Sequence, residues 1–326
     1  MKKMTVIGTL ILCIVLTGFP SENSYVSAPG SCTIFTASFG DTTLFGNNED
    51  YTNPKTYYWI SPSTSQFLGG VYLGYDNLSP QGGINEKGLA FDYNALPKAG
   101  LNSHPELPSL YGNPGFIIIR ECSTVEEAID MAKSYSWGTS LTYQMHMADA
   151  TGDAVIIGAG PDGELAFTRK EKGDGYLVST NFNLSHYEHK EGLCSRYDTA
   201  VEMLEKIKDE DSLTVEYSRE ILDAVHAEGA SSNTLYSNIF DLRNGTIYFY
   251  YWHQFDEVAV LSVEEELTKG TSTITSPTPI KDLFSQNTLE KAAREFEGYS
   301  KTDEDAGIGL LMVILGFFVL MYLRRK

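Results

Sequence analysis

The segment from Cys32 to Tyr51 leaves the chain few choices of fold. Cys32-Thr33-Ile34-Phe35-Thr36 reads as one extended, alternating run and Phe45-Gly46-Asn47-Asn48-Glu49-Asp50-Tyr51 as another, with Gly40-Asp41 supplying a tight turn between them. A connection that short joins strands only antiparallel, because a parallel crossover needs a much longer link. The hairpin therefore brings Asp50 back beside Cys32. An apolar segment ends at Phe19, so the cysteine stands where a mature N-terminus would lie. A cysteine freed at its own N-terminus carries a thiol and an α-amine of reference pKa about 7.7–8.0, nucleophile and base on one residue. With Asp50 orienting that amine, Cys32 is read as an N-terminal nucleophile. Spacing alone equally allows an ordinary buried edge cysteine near an exposed loop aspartate.

The two ends differ from the middle. Lys2 and Lys3 followed by the almost wholly apolar residues 5–19 have the charged and hydrophobic regions of a secretory signal, so residues 1–31 are expected to be signal peptide and propeptide. An uncleaved anchor and a lipidated Cys32 are the alternatives; Ala28-Pro29-Gly30-Ser31 is a poor lipobox. Residues 306–323 form an uninterrupted apolar run of 18, preceded by Asp303-Glu304-Asp305 and followed by Arg324-Arg325-Lys326. That is long enough to cross a bilayer, and the basic cluster belongs on the cytoplasmic side. The expectation is a single-pass membrane protein with its main domain extracytoplasmic and residues 324–326 as a cytoplasmic tail.

The formal charge of -19 understates the acidity of that main part: without the ends, 19 basic and 42 acidic residues remain, a net of -23. Phosphate binding needs a basic footprint, so a nucleic-acid partner is excluded. Of four cysteines, Cys13 falls in the signal segment and Cys32 must stay free to react, leaving Cys122 and Cys194 as a disulfide or as two separate thiols. Asn77, Asn183 and Asn244 stand in glycosylation sequons.

Further strands are expected at 57–60, 70–75, 89–93, 145–148, 154–157, 176–179, 235–242, 246–252 and 258–263. Asn244-Gly245 supplies the positive φ angles of a type I′ turn. Residues 97–115 are rich in Pro, Gly, Asn and Ser and are read as a long surface loop bordering the substrate pocket. A capping box at Ser123-Thr124-Val125-Glu126-Glu127, with two ways to place the cap, opens a helix expected to end near Trp137-Gly138. A second helix starts at Arg196, with Ala200, Val201, Leu204 and Ile207 on one face, and a third spans 218–226. Gly158-Ala159-Gly160-Pro161-Asp162-Gly163 matches a dinucleotide fingerprint, but that motif requires a helix to open at the glycines, and residues 164–168 alternate like a strand. A β-turn is the reading, and no cofactor is expected. His186 and His189 lack a third ligand at metal-binding spacing, so no metal is expected either. The domain is expected to close near Leu267, followed by a linker through 271–279 and a helical segment, 283–296, that packs on the domain or forms a stalk toward the membrane. Strand-rich ends flanking helical stretches make the class α+β.

Several motifs occur together: Cys-Thr opening a strand, Gly-Asn-Asn-Glu-Asp-Tyr at 46–51, Ile-Asn-Glu-Lys-Gly-Leu-Ala at 84–90, His-Met-Ala-Asp-Ala-Thr-Gly at 146–152, Ser-Thr-Asn at 179–181, Ser-Arg-Tyr at 195–197 and Leu-Tyr-Ser-Asn at 235–238. In this order they resemble the N-terminal nucleophile (Ntn) hydrolases of the choloylglycine hydrolase and penicillin V acylase family, and the related isopenicillin N acyltransferase-like amidases. The resemblance covers residues 32–267. It implies a four-layer αββα sandwich in which Cys32 attacks a linear, non-peptide amide to form a thioester, its α-amine shuttling the proton. It further implies that Asp50 holds the amine, Arg196 favours the thiolate and Asn181 donates to the oxyanion. For the second oxyanion donor, Asn94 lies near the family's position, but a gapless alignment from Asn85 puts Ala95 there. Asn47 stands where many bile-salt and penicillin hydrolases carry arginine, which weakens a bile-salt assignment. The implied partner is a small acyl-amide substrate; homo-oligomerisation is left open. Acyl transfer through the same thioester, and a surface-anchored binding domain that keeps the fold without catalysis, are the competing functions.

Overall fold

The computed structural model describes residues 32–229, 232–269 and 274–296. The expected signal segment, the apolar run at 306–323 and the basic tail lie outside the described residues; among these, no helix is long and apolar enough to cross a membrane.

The first hairpin organises one sheet. β1 (Thr33–Phe39) and β2 (Thr42–Tyr51) pair from Thr33–Asn48 to Phe39–Thr42, with Gly40 at φ 56 in the two-residue turn. Glycine takes that conformation without steric cost. β11 (Asn233–Asp241) adds to β2, followed by β12 (Thr246–Tyr251) and β13 (Gln254–Ser262), while β10 (Gly175–Ser179) flanks β1. The second sheet contains β3 (Thr56–Ser61), β4 (Gly70–Tyr75), β5 (Pro80–Asn85), β6 (Ala90–Gly100), β7 (Ser140–Ala148), β8 (Ala154–Ala159) and β9 (Leu165–Lys170) in sequence order. A two-residue strand, β14 (Thr278–Pro279), completes it on the outer edge of β3.

Three apolar clusters hold the sheets and helices together. Ile34, Phe45, Val71, Leu73, Ile84, Phe240 and Ile247 fill the space between the sheets. Phe91, Met145, Met147 and Val155 on the eight-stranded sheet pack against α1 (Pro114–Glu121) and α2 (Val125–Lys133) through Ile118, Val125 and Ile129. Phe35, Leu44 and Ile239 on the six-stranded sheet pack against α3 (Ser195–Leu204) and α4 (Val215–Ala224) through Ala200, Leu204, Ile221 and Leu222. The layers thus run helices, sheet, sheet, helices. β2 is buried along nearly its whole length, covered on both faces. Polar groups on such a strand must find partners inside the protein.

The structure departs from the sequence expectations at several points. Thr124 is the N-cap of α2, accepting from the Glu127 N–H, while Glu127 reaches back to the Ser123 N–H at 2.6 Å, which settles the choice of cap. The helix ends at Lys133, short of Trp137; the indole of Trp137 instead donates to the Ala132 carbonyl. Asn244-Gly245 is not a type I′ turn. Asp241 pairs with Thr246, so four residues make the turn, and only Gly245 has positive φ, while the Asp241 carboxylate accepts from the Asn244 N–H and side chain. The first residues of the expected 97–115 loop continue β6 after a bulge, and its last begin α1. The glycine-rich 158–163 segment is a turn between β8 and β9, as read.

The domain does not close near Leu267. After α5 (Val263–Lys269) the chain returns: Thr275 bonds to Ile60, β14 pairs with β3, and residues 286–296 form a helix, here α6. The side chain of Ala292 is buried in the inter-sheet core with Leu289 against it, and Lys291 pairs with Asp256 on β13. Part of the expected linker is therefore a strand, and the helical segment packs on the domain rather than standing off as a stalk.

Candidate functional site

Cys32 lies one residue before β1, 6% exposed, at the bottom of a cleft of about 770 Å³. The β1–β2 register delivers the expected neighbour. Cys32 stands beside the Glu49-Asp50 end of β2, and the Asp50 backbone N–H donates to its thiol. Burial is the main force on that thiol and pushes its pKa well above the ordinary value; the Glu49 and Asp50 carboxyls push the same way.

Asp50 is fully buried and anchored from β11. Its Oδ1 accepts a short hydrogen bond from the Thr234 hydroxyl, and its Oδ2 has no hydrogen-bond partner, lying 3.8 Å from Arg196 Nη1. Burial lifts its pKa to about 8, against the opposing pull of Arg196 and Thr234. Arg196, in the first turn of α3, spans the site: Nη1 donates to Thr33 Oγ1 at 2.7 Å and Nη2 to Asn181 Oδ1 at 3.1 Å. Asn181, just beyond β10, in turn donates to the Ala95 carbonyl at 3.0 Å. The chain thus brings Cys32, Asp50 and Asn181, at the ends of three neighbouring strands of the six-stranded sheet, together with Arg196 from α3. Arg196 pulls on Asp50 and bonds to Asn181, and the largest forces on the Cys32 thiol are burial and the Glu49 and Asp50 carboxyls.

Asn94 lies directly beside Cys32. Its side chain is fully buried and donates to the Cys32 carbonyl at 3.2 Å, and Ala95, the alternative position, lines the cleft. Asn47 is buried too, its amide 3.4 Å from Asn238, so no cation replaces the arginine that many family members carry there.

Three buried groups beside Cys32 escaped the sequence reading. Glu49 accepts a short hydrogen bond from the Tyr75 hydroxyl, keeps Oε2 unpartnered, and is lifted by burial to about 7. Asp92 is buried and raised by desolvation and by Glu49, and Tyr236 lies within their field. Gly82 makes room for Asp92: a Cβ there would stand 2.2 Å from its Oδ2. The signal was present for Glu49, since two acids follow one another inside a strand otherwise fit for burial on both faces. The cleft walls come from Tyr51, Tyr75, Tyr93 and Tyr143, with Gly112, Asn113 and Pro114 at the end of the expected bordering loop. No lysine, arginine or histidine lines it.

Two large antiparallel sheets packed between helices are the arrangement of Ntn-hydrolase-like αβ proteins, and similarity to solved structures bears out this fold. Penicillin V acylase from Agrobacterium tumefaciens superposes with a TM-score of 0.60 at 18% identity, covering 74% of this chain and 90% of that one. A mutant conjugated bile acid hydrolase from Clostridium perfringens gives 0.59 at 16% identity, covering 77% and 96%, and a second variant of that enzyme gives 0.59 over 78% and 98%. Residues 38–257 match the family model of acyl-coenzyme A:6-aminopenicillanic acid acyl-transferase, and the chain belongs to that family. The matched span begins just beyond Cys32. No curated protein sequence matches.

Proposed function

We propose that the protein is a cysteine Ntn amidase that cleaves a linear, non-peptide amide through a thioester on Cys32. The observation that carries this reading is that Cys32 and Asp50 share one cleft, while Arg196, 3.8 Å from Asp50 behind it, bonds to Asn181. Once the chain begins at Cys32, its α-amine would find a partner in the neighbouring Asp50, whose Oδ2 has no hydrogen-bond partner. The thiol proton passes to that amine as the sulfur attacks the amide carbonyl, and the amine then protonates the departing nitrogen. Water, deprotonated by the same amine, attacks the thioester and releases the acid. In this reading the amide of Asn181, held by Arg196, uses its second N–H to donate to the tetrahedral oxyanion, so Asn181→Ala is expected to lower kcat by about 10²- to 10³-fold while thermal unfolding stays near wild type. A kcat within a factor of two of wild type would remove Asn181 from the mechanism.

The family's description as an acyl-transferase favours a second outcome of the same thioester, its capture by an amine instead of water. Charge narrows the substrate further. With Glu49, Asp50 and Asp76 on its lining and no basic side chain, the cleft offers a substrate carboxylate no counter-charge, whereas its four tyrosines suit a neutral or cationic amine. A matched series of amides sharing one acyl group, with diamine, neutral and glutamate leaving groups, tests this. We expect kcat/KM for the first two to exceed the last by roughly 10-fold or more. Equal rates would discard the charge preference, and no hydrolysis of any amide would discard the amidase. The apolar run at 306–323 with its basic tail supports a membrane tether that leaves this domain extracytoplasmic.

A further inference from the structure

Away from the cleft, three segments distant in sequence bring a pair of imidazoles together. His226 and Glu228 follow the end of α4, His253 sits in the two-residue turn between β12 and β13, and Glu295 comes from α6. The two rings stack, with centroids 4.9 Å apart and planes 11° from parallel.

Each ring has its Nδ1 engaged by an acceptor. His226 Nδ1 lies in a short contact with the Asp223 backbone carbonyl, which can only accept, so this nitrogen carries the ring proton. The Nε2 of the neutral ring then turns its lone pair toward Glu228 Oε1, 2.7 Å away and itself an acceptor. A positive centre has to lie between them, either a proton or a metal ion. His253 discriminates between the two. Its Nδ1 is 3.4 Å from Glu295 Oε2, its side chain is only 5% exposed, and its Nε2 has no hydrogen-bond partner. A proton held between His226 and Glu228 leaves that buried nitrogen without a partner. A metal ion uses both Nε2 atoms at once.

We propose that His226, His253 and Glu228 are ligands of one divalent transition-metal ion, zinc by preference. Two imidazoles and one carboxylate are a borderline donor set that suits zinc better than calcium or magnesium. Acceptors on both Nδ1 positions, the Asp223 carbonyl and the Glu295 carboxylate, are what orients metal-binding imidazoles. The three ligand atoms lie within 4.8 Å of one another. Bonds of about 2.0–2.1 Å to one tetrahedral ion need them at roughly 3.3 Å, so binding requires the exposed Glu228 side chain to swing in and one imidazole to turn out of the stack until both in-plane lone pairs meet the ion. The His186–His189 pair takes no part in this cluster. The ion would tie the α4 exit, the β12–β13 turn and α6 together. It would also brace the site from behind, because the Ala227 N–H donates to Thr234 Oγ1 at 2.8 Å, and that hydroxyl bonds to Asp50.

The test is direct metal binding by the full chain, stripped with chelator and dialysed against micromolar Zn²⁺. Wild type is expected to retain about one zinc per chain and to gain thermal stability with added Zn²⁺, as binding to the native state alone requires. Glu228→Gln, at an exposed position that does not threaten folding, is expected to weaken binding by about 10- to 100-fold, and His226→Ala/His253→Ala to abolish it. Wild type holding less than about a tenth of an equivalent under conditions where tetrahedral protein sites fill, or Glu228→Gln binding zinc as tightly as wild type, would overturn the proposal.

Discussion

Cys32→Ala is expected to abolish amide hydrolysis, by on the order of 10⁴-fold or more, while leaving a folded protein. The size follows from the mechanism: the variant lacks the atom that forms the thioester, and among the described residues no other thiol stands at the cleft, since Cys122 and Cys194 do not line it. The small structural cost follows from the site. The cysteine precedes β1 and makes no side-chain contact on which the inter-sheet core depends, so losing its sulfur removes less than about one buried methylene's worth of packing, or ~1 kcal/mol. The same variant reports on processing. N-terminal sequencing and intact mass should show wild type beginning at Cys32 and the variant retaining upstream residues if the cut is autocatalytic. Both chains beginning at Cys32 would assign the cut to another protease. Full activity in the variant, or an active wild-type chain that still carries Ser31, would end the N-terminal nucleophile reading, because the α-amine would not exist.

The second large effect concerns acid. His146 on β7 lies fully buried between the sheets, its Nε2 3.0 Å from Thr36 Oγ1 on β1, its Nδ1 3.0 Å from Ser179 Oγ on β10, and its ring edge-on to Phe45. It is one of the polar pins joining one sheet to the other, and burial drives its pKa down from 6.5 to about 3. Between those two values the unfolded chain takes up a proton that the native state refuses. The stabilisation is therefore complete above pH 6.5 and is lost progressively as pH falls toward 3, at up to about 1.4 kcal/mol per pH unit. Glu49 and Asp50 act with the opposite sign: their raised native pKa values stabilise the fold at low pH, and that contribution fades as pH rises toward about 7 and 8. The histidine is isolated by comparing wild type with His146→Gln, whose amide reaches similar partners without titrating. From denaturant unfolding, the stability gap between the two should narrow by about 3 kcal/mol from pH 7 to pH 4. A gap that does not change with pH would show that His146 does not carry the acid sensitivity.

What could be read from the sequence, and what could not, divides on physical grounds. The Cys32–Asp50 proximity was legible because a two-residue turn fixes register, and register fixes neighbours. Arg196 and Asn181 were legible only through motif resemblance, since nothing local says that the start of α3 and the end of β10 meet over the same cysteine. Asn94 shows how one residue of register decides a role: it and Ala95 adjoin on β6, yet the first turns toward the Cys32 carbonyl and the second toward the cleft. Glu49, Asp92, Tyr75 and His146 were missed because pattern reading treats a polar residue in a strand as its solvent face, and in a strand covered on both sides there is none. The return of the chain after α5 was hidden by composition. A stretch rich in Ser, Thr and Pro reads as a spacer, but Thr275 and Ile60, which it joins, are 215 residues apart in sequence.

That return bears on how the molecule behaves in a crowd. The eight-stranded sheet would otherwise end at β3, six residues of aromatic and β-branched strand with one row of backbone donors and acceptors open to pairing. β14 caps that edge with two residues, the second a proline that has no N–H to offer. A neighbouring molecule meets neither a long edge nor a regular one, and the main route by which sheet proteins recruit one another into aggregates is blocked there. The short strand and the helix behind it are thus a guard against self-association, and a chain ending at residue 269 would lack it.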